Sequence, residues 1–106
     1  MQTCLFIEAP AFSRQVTRHL DDGEYAALQW ALMLRPEAGA LIRGSGGLRK
    51  LRWRGKSRGK SGGYRVIYYW RAAAGEIWLI TIYAKGEEQT IQAHVLKAIK
   101  EAMEDG

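Results

Sequence analysis

The stretch YRVIYYWRAAAGEIWLITIY, residues 64–83, contains two segments that are dense in β-branched and aromatic residues. Such residues favour the pleated, half-buried surface of a β-sheet. We therefore predict strands over Tyr64–Arg71 and Glu76–Tyr83, with a turn at the AAAG tetrapeptide between them. Strands that follow each other through so short a turn pair in an antiparallel hairpin.

The side chains of the first strand are predicted to divide between two faces of the sheet, because successive residues of a strand point in opposite directions. One face receives Tyr64, Val66, Tyr68 and Trp70, and the other receives Arg65, Ile67, Tyr69 and Arg71. Aromatic rings can stack on the bases of single-stranded RNA, and the rings considered for this role are Trp53, Tyr64, Tyr69 and Trp70. We expect most of these rings to lie in the core and single out none as a base platform.

Alternation also marks the strand that precedes this hairpin. In LRKLRWR, residues 48–54, one face is predicted to carry Leu51 and Trp53 and the other Lys50, Arg52 and Arg54. The next segment, GKSRGKSGG over residues 55–63, is rich in glycine and is typical of a loop. The basic part of the chain is therefore predicted to be a β-hairpin with a long loop.

The first third of the chain predicts one strand and two helices. TCLFIEA, residues 3–9, is short and apolar and is closed by Pro10, as expected of a strand. The first helix is indicated by apolar residues at helical spacing, namely Phe12, Val16 and Leu20. Asp21 and Glu24 have the spacing of a capping box, so a second helix is expected through YAALQWALML, ending before Pro36. Its buried stripe is predicted to be Tyr25, Leu28, Leu32 and Met33.

A final helix is predicted over Glu87–Glu104, with a buried face formed by Ile91, Val95, Ile99 and Met103. The element order is then β-α-α-β-β-β-α. This order predicts an α+β domain in which helices pack on a small, curved, mostly antiparallel sheet. Residues 1–106 are expected to form this single domain, because a chain of 106 residues can bury one modest core.

Positive charge is concentrated in one part of the chain. Residues 38–75 contain ten Lys or Arg and no Asp or Glu, whereas the rest of the chain has six basic and eleven acidic residues. Such polarisation suits a polyanion, because each phosphate that a cation neutralises releases counterions and adds affinity. The alternative is a basic surface that only aids solubility. A window of this length without one carboxylate favours nucleic acid.

Several classes of protein and site are not expected. Cys4 is the only cysteine, so no internal disulfide can form, which fits a reducing cytoplasm. No apolar run approaches the roughly 20 residues that cross a bilayer, and the N-terminus lacks the pattern of a signal peptide. His19 and His94 are well separated, so zinc-ligand spacing is absent and both are expected to be ordinary helical residues. No cofactor is predicted.

Candidate phosphate-binding residues lie in the basic hairpin and at the end of the last strand. Arg65 follows the loop directly and lies near the start of its strand, where its planar fork can hold a phosphate bidentately. The other candidates are Lys50, Arg52 and Arg54 on the neighbouring strand, Lys56, Arg58 and Lys60 in the loop, and Lys85 just after Tyr83. The alternative is that Arg65 covers the sheet and the lysines solubilise the loop. As a set, these residues favour phosphate binding.

At these residues the chain resembles the RelE/ParE superfamily of bacterial toxins, and in particular the HigB-type mRNA interferases. The resemblance rests on IRGSGGLRKLR, GKSRGKSGGYRVIYYW and LITIYAKGE, in that order, and on the helix that follows. It spans nearly the whole chain and implies a RelE-like fold. The implied activity is cleavage of mRNA in the ribosomal A site, with mRNA and the ribosome as partners and a cognate antitoxin as inhibitor.

The resemblance also implies roles for individual residues. Arg65 corresponds to the strand arginine that binds the scissile phosphate, and Lys85 to the lysine near the end of the last strand. The loop brings in Lys56 and Lys60, and the basic pair on the preceding strand corresponds approximately to Lys50 and Arg52. RelE-type enzymes have an arginine where this chain has Gly86, and their helix tyrosine has no counterpart here. The general base therefore stays open.

The expected chemistry is a metal-independent attack of the ribose 2′-OH on the adjacent phosphorus, which expels the 5′-oxygen. Arg65 would stabilise the charged phosphorane, and Lys56, Lys60 or Lys85 would assist it or protonate the leaving oxygen. Tyr83 is an alternative proton carrier, or simply an aromatic residue at the end of a strand. Two other functions stay open: a ParE-like inhibitor of DNA gyrase, and an RNA-binding module without catalysis.

Overall fold

The computed structural model describes residues 4–55, 63–87 and 91–105. In chain order the strands are β1 (Leu5–Glu8), β2 (Ala40–Leu41), β3 (Arg49–Trp53), β4 (Tyr64–Arg71) and β5 (Glu76–Ala84). The helices are α1 (Pro10–His19) and α2 (Asp22–Leu34), both between β1 and β2, and α3 (Ala93–Asp105) after β5. The predicted α+β architecture is confirmed, with the two-residue strand β2 as an addition to the predicted order.

The predicted β4–β5 hairpin lies at the centre of a five-stranded sheet with the order β1-β5-β4-β3-β2. All neighbouring strands are antiparallel except β1, which pairs with β5 in parallel over Glu76–Leu79. A single turn of 3₁₀-helix and Gly75, whose φ of 66° is left-handed, reverse the chain between β4 and β5. The strand order therefore gives β4 a hydrogen-bonded neighbour on both sides.

The two faces of β4 contact different parts of the core, as alternation predicts. Tyr64, Val66 and Tyr68 are buried in the cluster formed with α1 and α2. On the opposite face, Ile67 is buried with Leu96 of α3, and Tyr69 packs against that cluster. Of the four rings considered for base stacking, Tyr64 is buried in the core, and Trp53, Tyr69 and Trp70 are partly buried.

The α1–α2 hairpin is joined by the predicted capping box. The backbone N–H of Glu24 donates to Asp21 Oδ1 over 2.7 Å, and the backbone N–H of Asp21 donates to Glu24 Oε1 over 3.1 Å. Because these bonds satisfy two backbone donors near the start of α2, the helix begins beside Asp21. Leu28 and Leu32 are fully buried as predicted, whereas Tyr25 and Met33 are only partly buried.

The final helix differs from its prediction. It begins at Ala93 rather than Glu87, because the chain first makes a turn in which Glu87 N–H donates to the Ala84 carbonyl. As a result Ile91 precedes the helix, and both Ile91 and Val95 are exposed rather than buried. The residues that face the sheet are Leu96, Ile99, Lys100 and Met103. None of the described helices is long and apolar enough to cross a membrane.

The glycine-rich turn before β3 is held in place by buried polar groups. Ser45 is fully buried, and its hydroxyl donates to the Ile42 carbonyl over 2.6 Å and accepts from Leu48 N–H over 3.0 Å. Lys100 of α3 is also buried and donates to the Gly46 carbonyl over 3.0 Å, with its ammonium 4.7 Å from the centre of the Tyr69 ring. This turn therefore connects α3 to the sheet.

Candidate nucleic-acid interface

Arg52, Arg65 and Tyr83 form a row across three neighbouring strands. Arg52 on β3 is the register partner of Arg65 on β4, and Arg65 is the partner of Tyr83 on β5. Side chains of paired residues lie on the same face, with Cβ atoms about 4.5–5.5 Å apart. The row lies on the same face as α3, because Tyr64 and Val66 on either side of Arg65 are buried against α1 and α2. It brings two arginines and a phenol together.

Arg65 is the most firmly positioned cation of this row. Its strand is paired on both sides, its two neighbours in sequence are buried, and its own side chain is partly buried. One guanidinium nitrogen, Nη1, lies 3.4 Å from the Tyr64 carbonyl oxygen and donates to it. Because backbone pairing and core packing both fix this position, the guanidinium has a defined origin from which to bind an anion.

Two further cations lie on β3 beside this row. Arg52 and Lys50 are both exposed and are two residues apart, so they share a face. Lys50 is paired with Ile67, two residues along the ladder from the Arg52–Arg65 pair. The structure therefore brings Lys50, Arg52 and Arg65 to one face, as alternation predicts.

Lys85 is attached to the same end of the sheet through its backbone. Its N–H donates to the Gly63 carbonyl over 3.0 Å, which continues the β4–β5 ladder one step beyond Tyr64 and Ala84. The side chain of Lys85 is exposed. Gly63 approaches β3 so closely that a Cβ there would lie 2.5 Å from the Trp53 carbonyl oxygen. Glycine is thus required where the loop rejoins the sheet.

Lys56, Arg58 and Lys60 lie outside the described residues. The loop leaves the sheet at Gly55, two residues after the end of β3, and returns at Gly63, directly before β4. Both ends lie at the Arg52–Arg65 end of the β3–β4 ladder, where Trp53 pairs with Tyr64. The loop therefore starts and finishes beside the cationic row.

Arg54 is placed differently from the other cations of β3. It lies just beyond the strand and lines a cavity of about 250 Å³ together with Glu24 and Ala27 of α2, Trp53 and Gly55. This cavity is on the side of the sheet that α2 covers, since Trp53 packs against that core cluster. The structure does not bring Arg54 into the row formed by Arg52, Arg65 and Tyr83.

Gly86 occupies a turn that disfavours a side chain. Its φ is 90°, a left-handed value that residues other than glycine rarely adopt, whereas no described residue other than its chain neighbours has an atom within 4 Å of the position a Cβ would take. The turn reverses the chain directly after β5 and is closed by the Glu87–Ala84 hydrogen bond of 3.0 Å. Backbone conformation, not lack of space, accounts for glycine here.

The sequence did not predict a cavity of about 500 Å³ beside the cationic row. It lies between the C-terminal half of α1 and the edge of β5, and it is lined by Gln15, Arg18, His19, Thr81, Ile82, Tyr83, Glu87 and Ile91. His19 Nε2 is 3.7 Å from Glu87 Oε1, and the His19 ring lies 5.1 Å from the Tyr64 ring. His19 is a partly buried residue at the end of α1, as predicted, and no sequence motif links it to Glu87.

Comparison with known proteins bears on the fold. No family model matches the chain. A double arginine-to-alanine mutant of the E. coli toxin RelE in the free state superposes with a TM-score of 0.61 at 15% identity, covering 94% of this chain and 98% of that one. The chain has the RelE fold. A chain of the intact E. coli RelBE toxin–antitoxin complex gives a TM-score of 0.56 at 20% identity, with 81% of this chain and 100% of that one covered.

A further structure, the isolated E. coli RelE toxin, gives a TM-score of 0.55 at 16% identity and covers 94% of this chain and 99% of RelE. The chain is therefore similar to RelE over almost the full length of both proteins. The correspondence includes the five-stranded sheet that carries the cationic row. The predicted RelE-like fold is confirmed, while at these identities the likeness concerns the fold alone.

Proposed function

We propose that this protein is the toxin of a type II toxin–antitoxin pair and a ribosome-dependent endoribonuclease that cuts translated mRNA. The observation that carries the proposal is the pairing of Arg65 with Arg52 and Tyr83 at one end of a RelE-type sheet. This arrangement puts a rigidly held arginine among further cations, at the end of the sheet where the basic loop is attached. The sequence motifs favour the HigB type within the superfamily.

The reaction is an in-line attack of a ribose 2′-oxygen on the neighbouring phosphorus. The O2′–P bond forms and the P–O5′ bond breaks, which gives a 2′,3′-cyclic phosphate and a 5′-hydroxyl. Arg65 holds the non-bridging oxygens and stabilises the negative charge that develops on them. Lys85 and the loop residues Lys56 and Lys60 supply further positive charge or the proton for the departing O5′.

RNA reaches this centre along the outer strands. Lys50 and Arg52 are exposed on β3 and bind phosphates that flank the scissile one, assisted by Arg58 of the loop. Arg54 binds an RNA phosphate beside α2, outside the row formed by Arg52, Arg65 and Tyr83. Alignment of the substrate by the ribosome reduces the need for a strong general base. Tyr83, the register partner of Arg65, is an alternative proton carrier.

The proposed inhibitor is a cognate antitoxin, in keeping with the complex in which RelE itself has been seen. Residues 38–75 contain ten cations and no carboxylate. The antitoxin would inhibit the protein by covering the end of the sheet that carries Arg65, or by blocking entry into the ribosome.

The proposal is tested by primer extension on a reporter mRNA in a purified translation system, with and without ribosomes. We expect cuts that require both ribosomes and Arg65, so that Arg65→Ala abolishes them. Arg71→Ala is the matched control, because Arg71 lies on the same strand and face but at the far end, where it pairs with Glu76. This variant should cut normally.

Two outcomes would contradict the nuclease. Intact mRNA with unaffected translation, together with inhibition of DNA supercoiling by gyrase, would point to a ParE-like toxin. RNA binding that weakens in Arg65→Ala without any cleavage product from the wild type would point to a non-catalytic binding module. Circular dichroism of each variant establishes that the comparison is made between folded proteins.

A further inference from the structure

The cavity at the edge of β5 shares one residue with the proposed catalytic row. Tyr83 both lines this cavity and pairs with Arg65, so one residue borders the two sites. The cavity exists because β1 pairs with β5 only as far as Leu79, after which the chain turns into α1. The edge of β5 beyond Leu79 consequently faces the helix, which leaves a recess of about 500 Å³.

The walls of the recess match the requirements of a nucleobase. A volume of about 500 Å³ is in the range of small-ligand sites, which run from about 300 to 1,000 Å³. Ile82 and Ile91 provide apolar contact, and His19, Tyr83 and Arg18 offer planar groups of the kind that stack on bases. Gln15, Thr81 and Glu87 provide hydrogen-bonding groups for the edge of a base.

The charges of the recess fit a base attached to a phosphate backbone. Arg18 donates to Gln15 Oε1 over 3.4 Å, so these two side chains lie together on α1. Glu87 is the one carboxylate among the described residues that line the recess, and its Oε1 lies 3.7 Å from His19 Nε2. A carboxylate at this place accepts hydrogen bonds from an exocyclic amino group, as Asp and Glu do with cytosine N4.

We propose that this recess binds the base of the mRNA nucleotide next to the bond that is cut, and that Glu87 makes it prefer bases with an exocyclic amino group over uracil. The inference rests on the proposed function and adds a recognition site to it. When Arg65 holds a phosphate, the nucleotide attached to that phosphate lies close to Tyr83 on the neighbouring strand. The base of this nucleotide, no longer stacked on other bases, enters the recess beside α1.

Binding is measured by NMR on the isotope-labelled protein, with 2′-O-methyl trinucleotides that cannot be cleaved. We expect trinucleotides containing cytosine or adenine to shift the amide signals of Gln15, His19 and Thr81, and oligouridylate to shift them at several-fold higher concentration. Ribose 5-phosphate, which lacks a base, should shift only signals near Arg65. Equal shifts at the recess with ribose 5-phosphate, or none with any trinucleotide, would overturn the inference.

Two matched pairs of variants separate the recess from general effects of charge. Glu87→Gln should reduce the preference for cytosine over uracil by about fivefold or more, the order of one lost base contact, while Glu101→Gln on the exposed side of α3 should not. Arg18→Ala should weaken trinucleotide binding more than Arg14→Ala, which is on the same helix but outside the recess. Equal effects within either pair would argue against the site.

The cleavage map distinguishes failure of this inference from failure of the proposed function. If wild-type protein cuts translated mRNA and Glu87→Gln leaves the distribution of cut codons unchanged, the recess is not a recognition site and the nuclease stands. If trinucleotides bind in the recess but no ribosome-dependent cuts occur, the binding site stands and the nuclease fails.

Discussion

Arg52 and Arg65 lie directly opposite each other on the same face of the β3–β4 ladder. Like charges in such a pair destabilise a sheet, and cross-strand pairs are worth about 0.2–1 kcal/mol. Under the proposed function, an RNA phosphate between the two guanidinium groups would offset this repulsion.

The first prediction follows from this pair. Arg52→Thr should increase the free energy of unfolding by about 0.2–1 kcal/mol, because it removes the like charge opposite Arg65 and adds a residue that favours strands. The same change should weaken RNA binding and make the salt dependence less steep. Urea unfolding and RNA titrations at two salt concentrations measure the two effects.

Lys50→Thr is the control for this prediction. Lys50 is exposed on the same strand but faces Ile67 rather than a cation, so its replacement relieves no repulsion across the ladder. An equal gain in stability from both variants would mean that strand propensity, rather than repulsion between Arg52 and Arg65, is responsible.

The second prediction compares two glycines with left-handed φ values. Gly63→Ala should cost stability through both strain and collision, since its Cβ would lie 2.5 Å from the Trp53 carbonyl oxygen. Gly86→Ala should cost about 1 kcal/mol from strain alone, because a Cβ there would collide with none of the described residues. Gly63→Ala should therefore have a lower melting temperature than Gly86→Ala. The reverse order would show that the backbone at Gly63 shifts to accommodate the Cβ.

The third prediction concerns the attachment of α3. Lys100→Ala should destabilise the protein by about 1–3 kcal/mol, because it removes the hydrogen bond to the Gly46 carbonyl and the cation–π contact with Tyr69. Lys97→Ala, three residues earlier and exposed, should be nearly neutral. Denaturant midpoints measure both, and similar values would mean that the buried ammonium contributes nothing to docking.

The fourth prediction concerns alkaline pH. Burial raises the pKa of Tyr25, and the hydrogen bond that its hydroxyl donates to Glu8 together with the charge of that carboxylate raises it further. Because the folded-state pKa lies above the unfolded value of about 10, this contribution to stability is complete below pH 10 and is lost as the pH rises beyond it.

Tyr25→Phe should accordingly remove part of the loss of melting temperature that the wild type shows above pH 10. Melting curves between pH 8 and 11 test this, and absorbance of the phenolate identifies which tyrosines ionise. A wild type and a Tyr25→Phe variant with parallel profiles would mean that Tyr25 ionises alike in the folded and unfolded states.

The parts of the fold that the sequence predicts are those encoded in neighbouring residues. The β4–β5 hairpin follows from a run of β-branched and aromatic residues, and the start of α2 from the Asp21–Glu24 spacing. The face of the sheet on which Arg65 lies follows from strict alternation of side chains along β4. Each of these features depends on contacts within a few residues of the chain.

The features that the sequence did not reveal depend on contacts between distant segments. Strand β2 has two residues, too few for a periodic pattern. The recess beside β5 depends on where α1 lies. The parallel pairing of β1 with β5 sets that position and brings His19 of α1 close to Glu87. The start of α3 was placed too early because the turn at Gly86 interrupts a pattern that otherwise looks helical.

The position of Arg65 at the start of β4 affects how the proposed nuclease would lose activity. Arg65 is the second residue of its strand and lies at the end of the β3–β4 ladder where the loop is attached, whereas Tyr68, further along the strand, lies in the core. Local opening at this end would displace the guanidinium while the core stays folded. Under the proposed function, heating should therefore abolish cleavage of mRNA at a lower temperature than the one at which the core unfolds.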